Sequence, residues 1–152
     1  MNKHLLRALL FTVAMGGLFA AEHAQVQSGP YSFYALTPCR VVDTRTANSV
    51  NGGPMLDTTA RNFAIRGTCG VPTTAKAVSI NVTVANATAN SWLTIWPSGQ
   101  AQPFVSTINF NQNDIALANG AIVPLSTAAQ DLSVRNAIGN VHAIIDVTGY
   151  FQ

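Results

Sequence analysis

Three groups of side chains in this chain have types and spacing that could do chemistry. Trp92, Thr94 and Trp96 alternate with Leu93 and Ile95, so an extended strand sets both indoles and the hydroxyl on one face and the aliphatic pair on the other. The aliphatic pair is the natural core face. The indoles then form an exposed strip beside neighbouring amides, a platform suited to stacking on the C–H face of a sugar or to a protein partner. In the alternative, one or both indoles cover a second sheet. Arg40, Asp43 and Arg45 form the second group. In a strand, Asp43 and Arg45 share a face with Cys39 and Val41, and charges at the edge of a core need ionic and hydrogen-bonding partners. Their expected role is a partly buried network clamping the long loop Thr46–Pro54. The alternative is a ligand-binding Asp/Arg pair, because the arginine fork fits carboxylates and sugar hydroxyls. The third group, Asn111, Asn113 and Asp114, is rich in oxygen but lacks the regular ligand spacing of a calcium loop, so no metal site and no cofactor is assigned.

The inventory for catalysis is poor. Beyond residue 24 the chain has one histidine, His142, no glutamate, and aspartates at 43, 57, 114, 131 and 146. Neither a Gly-x-Ser-x-Gly nor a His-Glu-x-x-His motif is present. A glycosidase would need two carboxylates to meet across a substrate, and Asp43 and Asp146 are the only pair in strongly patterned segments. The expectation is a protein that is not an enzyme, with a small hydrolase as the least favoured reading.

The elements that must position these groups are short strands. Val78, Ile80, Val82 and Val84 alternate with Ser79, Asn81, Thr83 and Ala85, the period of a strand with one buried face. Val141, Ala143, Ile145 and Val147 alternate in the same way with His142, Ile144, Asp146 and Thr148. Further runs at 92–96, 106–111, 121–125 and 132–136, with weaker ones at 31–36, 40–45 and 61–66, bring the number to about nine. No helical period extends past two turns; a short turn of helix is expected near 113–119 or 127–131. This is the pattern of an all-β domain, an antiparallel β-sandwich or jelly-roll-like fold, over residues 31–152.

The N-terminus reads as an export signal. A basic head with Lys3 and Arg7 precedes the uncharged run Ala8–Ala21 and small residues at Ala20, Ala21 and Ala24, so residues 1–24 are expected to be a signal peptide cleaved near Ala21 or Ala24. The run is too short for a spanning helix and Gly16-Gly17 interrupts it, so no stable membrane insertion is expected after cleavage. Residues 25–30 are expected to be a flexible lead-in. Removing 1–24 leaves six basic against five acidic side chains, too balanced for a nucleic-acid partner. In an exported chain the only two cysteines, Cys39 and Cys69, read as one disulfide.

The motifs occur in a familiar order: Pro38-Cys39-Arg40-Val41-Val42-Asp43-Thr44-Arg45, then Cys69-Gly70-Val71-Pro72, Trp92-Leu93-Thr94-Ile95-Trp96-Pro97, Ser106-Thr107-Ile108-Asn109-Phe110 and Asp146-Val147-Thr148-Gly149-Tyr150-Phe151. In this the chain resembles a group of bacterial secreted β domains with a Pro-Cys-Arg-x-x-Asp-Thr-Arg signature. These stand as repeats or appendages in cell-surface proteins, sometimes beside hydrolase domains. The resemblance spans Phe33 to Phe151 and departs at Leu117, where the family pattern has arginine. It implies a secreted, extracellular or cell-surface location, with the periplasm as an alternative, and brings no activity with it. The expected function is therefore attachment or assembly at the cell surface, as a structural or adhesive subunit. Its partner would be an envelope component, a glycan or further copies of itself. The alternative is a lectin-like module using Trp92, Thr94 and Trp96.

Overall fold

The computed structural model describes residues 29–49 and 51–152; the expected signal peptide and most of the lead-in lie outside them. Eight strands make two antiparallel four-stranded sheets: β1 (Phe33–Asp43), β2 (Arg61–Phe63), β3 (Ala77–Ala85), β4 (Ser91–Pro97), β5 (Ile108–Phe110), β6 (Ala116–Pro124), β7 (Leu132–Asn136) and β8 (His142–Phe151). The strand orders are β1-β8-β3-β6 and β2-β7-β4-β5. There is no helix among the described residues. The sheets pack face to face, as a sandwich does, because the central strands turn alternate aliphatic side chains inward. Val78, Ile80, Val82 and Val84 of β3 and Ala143, Ile145 and Val147 of β8 meet Leu93 and Ile95 of β4, Leu132 and Val134 of β7, and Phe63, Ile108 and Phe110 in one buried cluster.

Eight strands stand where about nine are expected, because the runs at 31–36 and 40–45 are a single strand. β1 passes through Thr37 and Pro38 with a register shift between Ala35 and Cys39, and a second between Arg40 and Val42. Proline is tolerated there because β1 lies at the edge of its sheet and pairs only with β8. β2 is shorter than expected, since the backbone N–H groups of Ile65 and Arg66 turn to the carboxylate of Asp131 instead of a neighbouring strand. β6 begins at Ala116, inside the segment expected to form a helical turn, and runs in unbroken register with β3 to Pro124. Its alanines, asparagine and glycine are poor strand formers, and pairing overrides that preference.

The two most distinctive sequence motifs turn out to be neighbours. β1 and β8 place Cys39 opposite Val147, Arg40 opposite Asp146 and Asp43 opposite Ile144. Where β1 begins and β8 ends, Tyr34 stacks on Tyr150 with ring centroids 5.0 Å apart, and Phe33 meets Phe151 at 5.1 Å. Gly149 is required here: a Cβ on it would lie 2.4 Å from the Phe33 ring. The disulfide Cys39–Cys69, with Cα atoms 5.6 Å apart, ties β1 to the loop after β2. Such a bridge fits a non-cytoplasmic, oxidising compartment, and no described helix is long and apolar enough to cross a membrane.

Candidate functional site

β4 sets Leu93 and Ile95 inward and Trp92, Thr94 and Trp96 on the outer face of the second sheet, as strand parity requires. The exposed two-tryptophan strip does not survive the next ten residues. Gly99, with φ of 81°, turns the chain after Ser98, and residues 100–106 return across the same face. The Trp96 indole N–H donates to the carbonyl of Gln100 at 3.0 Å. The Thr94 hydroxyl donates to the carbonyl of Val105 at 2.9 Å and accepts the Gln102 amide at 3.4 Å. Trp96 is left 6% exposed and Thr94 buried, whereas Trp92 remains 40% exposed. The expectation of a paired indole platform is thereby corrected to a single indole at the mouth of a cleft.

That cleft has a volume of about 510 Å³. Strand pairing builds one wall: Asn109 of β5 lies opposite Trp92, and Arg135 of β7 opposite Thr94. The returning segment supplies the other wall through Gln102 and Phe104, whose ring is fully exposed. Arg135 is oriented by donating from Nε to the carbonyl of Thr58 at 2.6 Å and from Nη1 to Oε1 of Gln102 at 3.3 Å. An aromatic face beside amides and a cation can hold a polyhydroxylated ligand. The lining contains no Asp, Glu, His or Cys, so the cleft itself offers no carboxylate, imidazole or thiol for acid–base or nucleophilic work. Gln102, Phe104, Asn109 and Arg135 were not apparent from sequence. The parity of β7, where Ser133 and Arg135 alternate with Leu132 and Val134, was the one signal pointing to an outward arginine.

The charge cluster at Arg40, Asp43 and Arg45 forms on the first sheet. Arg45 grips Asp43 with two bonds, from Nε at 2.9 Å and Nη2 at 2.7 Å, and its backbone N–H adds a third at 3.1 Å. Arg40 reaches both carboxylates: Nε donates to Asp146 at 2.8 Å and Nη1 to Asp43 at 3.4 Å. Asp43 and Asp146 are thus neighbours with a guanidinium between them, an arrangement that neutralises both rather than leaving one as acid and one as base. The Arg45 hydrogen bonds hold the buried Asp43 carboxyl down at about 2, and the Asp146 bond raises Arg40 further.

These side chains do not clamp the loop Thr46–Pro54, contrary to the sequence-based expectation. The second register shift breaks the simple alternation of β1, so Val41, Val42 and Asp43 are buried in succession. The loop is held instead by Asn51, whose amide donates to the carbonyls of Val41 at 2.9 Å and Ala64 at 3.0 Å, and by Arg61, which donates to Pro54 and Gly52. Asp43 contributes only its carbonyl, to Ser49. His142 is half-buried with Nδ1 3.1 Å from the Thr44 hydroxyl. In the oxygen-rich loop the Asp114 carboxylate accepts the backbone N–H of Asn111 at 2.8 Å, and no metal-ligating cluster occurs among the described residues. No protein-family model, curated protein or solved structure matches the chain.

Proposed function

We propose that this protein is an exported, non-catalytic attachment domain that binds a saccharide in the Trp92 cleft. The family resemblance in the β1 and β8 motifs supports a secreted or cell-surface setting, and the disulfide supports the oxidising compartment. The observation that carries the ligand class is the combination at one opening of a half-exposed indole, the Asn109 and Gln102 amides, and the Arg135 guanidinium. A pyranose offers a C–H face to the indole and a ring of hydroxyls to the polar groups. Arg135 leaves Nη2 without a protein acceptor among the described residues, so it can take a sugar hydroxyl or a uronic carboxylate. The charged carboxylates elsewhere are engaged by arginine or backbone donors, which favours binding over hydrolysis.

Trp92 and Trp96 are the only tryptophans, and Trp96 is buried while Trp92 stands half-exposed, so a ligand-dependent change in tryptophan emission reports on Trp92. Titrating the wild-type chain with a panel of neutral and acidic polysaccharides should change its emission with at least one of them. Trp92→Ala should abolish that change and weaken retention on the same polysaccharide by about tenfold or more, the ratio that corresponds to roughly 1.4 kcal/mol. Silence across the panel, or retention unaffected by Trp92→Ala, overturns the reading.

A further inference from the structure

The free edge of β6 differs from every other sheet edge in the molecule. β1 is guarded: Asn51 and Ser49 cap its carbonyls, Pro38 interrupts it, two register shifts bend it, and Arg40, Asp43 and Arg45 crowd its end. β2 and β5, the edges of the second sheet, are three residues each. These are the devices by which proteins keep sheet edges from pairing with other chains. β6 has none of them over most of its length. Its nine residues, Ala-Leu-Ala-Asn-Gly-Ala-Ile-Val-Pro, carry no charge and no bulge, with a proline only at the last position. No backbone group of β6 makes a hydrogen bond outside its pairing with β3 among the described residues. Ile115, Leu117 and Ile122 stand exposed along it.

We infer that β6 pairs antiparallel with β6 of a second copy, joining two first sheets into one eight-stranded sheet. The occupant follows from the strand's self-complementarity. Residues opposite one another in an antiparallel pair share a face, so the two-fold axis must pass through a residue, and full overlap of residues 116–124 puts it at Gly120. In that register Leu117 lies opposite Val123 of the second copy, and Ala118 opposite Ile122 of the second copy. Leu117 and Ile122, the exposed aliphatic side chains within β6, each gain an apolar cross-strand neighbour. A strand bearing a charge off the axis would bring like charges close in some self-pairings; β6 has none to bring. The axis is perpendicular to the joined sheet, so the second sheets of both copies lie on its same side. Their two Trp92 clefts then face one way, and an attachment domain acquires two sites for one surface, a gain in avidity that needs no new contact with the ligand. That last consequence rests on the saccharide reading; the pairing does not.

The test uses the full chain exported to a bacterial periplasm and purified, with sedimentation velocity over a wide concentration range. The wild type should sediment as a concentration-dependent dimer. Ala118 and Ile122 both point to the exposed outer face, so the double variant Ala118→Lys with Ile122→Lys should fold with an unchanged Tm. It sets lysines opposite one another twice across the interface and should weaken dimerisation by roughly a hundredfold or more, the scale of like-charge juxtaposition at an interface. Ala118→Glu with Ile122→Lys places opposite charges in the same register and should restore the dimer. A monomeric wild type at the highest concentration overturns the inference, as does a dimer indifferent to both variants. Polysaccharide titration of the lysine variant separates the two readings: a monomer that still binds leaves the cleft standing, and a dimer that binds nothing leaves the edge standing.

Discussion

Replacing Asp43 by Asn should destabilise the fold in a way that depends on pH, because the stabilisation lies in the carboxylate's charge. The side chain keeps its size and can still accept the Arg45 backbone N–H, so the change isolates the two guanidinium contacts. Asp43 is held at about 2 against an ordinary 3.8. A difference of that size corresponds to roughly 2.5 kcal/mol if all of it is retained. The side chains of Arg40 and Arg45 are 47% and 44% exposed, so solvent screening reduces the expected effect to about 1–2 kcal/mol. The sign follows from linkage. As pH falls, the unfolded chain takes up the proton first, near 3.8, while the folded chain resists until about 2. The stabilisation is therefore complete above about pH 4 to 5 and lost as pH falls to 2. Urea unfolding followed by circular dichroism at pH 7, 5, 4, 3 and 2 measures this directly. The gap between wild type and Asp43→Asn should hold steady from pH 7 to 5 and close towards pH 2. A gap of constant size across the whole range would refute the reasoning, since it would place the loss in packing or geometry and not in charge. No gap at pH 7 would make the ion pair energetically neutral, as many exposed pairs are.

Two further outcomes follow from the same structure. Converting both Cys39 and Cys69 to serine opens a loop with a separation of 30 residues and should cost about 3–4 kcal/mol in the chain-entropy model, seen as a lower urea midpoint; an unchanged midpoint in the reduced wild type would argue that the bridge is dispensable. Asp131 is buried and accepts the backbone N–H groups of Ile65 and Arg66 as well as the Arg66 side chain, so Asp131→Ala leaves two backbone donors unpaired and the Arg66 guanidinium with only the Ser126 carbonyl, and should cost roughly 3–5 kcal/mol, more than Asp43→Asn in the same assay.

Sequence pattern reached those features that depend on neighbours along the chain. The alternation in β3 and β8, the inward turn of Leu93 and Ile95, and the outward parity of Trp92, Thr94 and Trp96 all follow from the two-residue repeat of an extended strand. The disulfide needed only two cysteines and the expectation of export. What pattern did not reach depends on which distant segment arrives. Pro38 looks like a break, and only the edge position of β1 makes it tolerable. The first half of β6 looks like a turn because its residues are weak strand formers, and it joins the expected strand run at 121–125 through pairing with β3. Asp131, Asn51 and Arg61 carry no local signal at all, since their partners lie 10 to 66 residues away in sequence or are carbonyls of a loop. Asp43 and Arg45 attract the clamp reading because charged side chains are conspicuous in a chain with so few. Neutral Asn51 does much of the holding, having a donor that fits two carbonyls and no charge to desolvate.

The return of residues 100–106 across β4 decides the character of the site more than any residue on β4 does. A flat face with two indoles and a free hydroxyl would accept any planar apolar partner. Covering Trp96 and committing the Thr94 hydroxyl to Val105 and Gln102 removes that breadth and raises a wall at the same time. The groups left for a ligand come from three separate elements: Trp92 from β4, Asn109 from β5 and Arg135 from β7, with Gln102 and Phe104 on the returning segment. Arg135 is anchored to that segment through Gln102 and to the Thr58 loop through its Nε, so its direction depends on both loops being in place. The indole N–H of Trp96 is the peg that holds the turn at Gln100. On the proposed saccharide reading, selectivity should be set by residues 100–106 acting through Arg135, and the buried Trp96, held at the Gln100 carbonyl, fixes the cleft at whose mouth Trp92 stands.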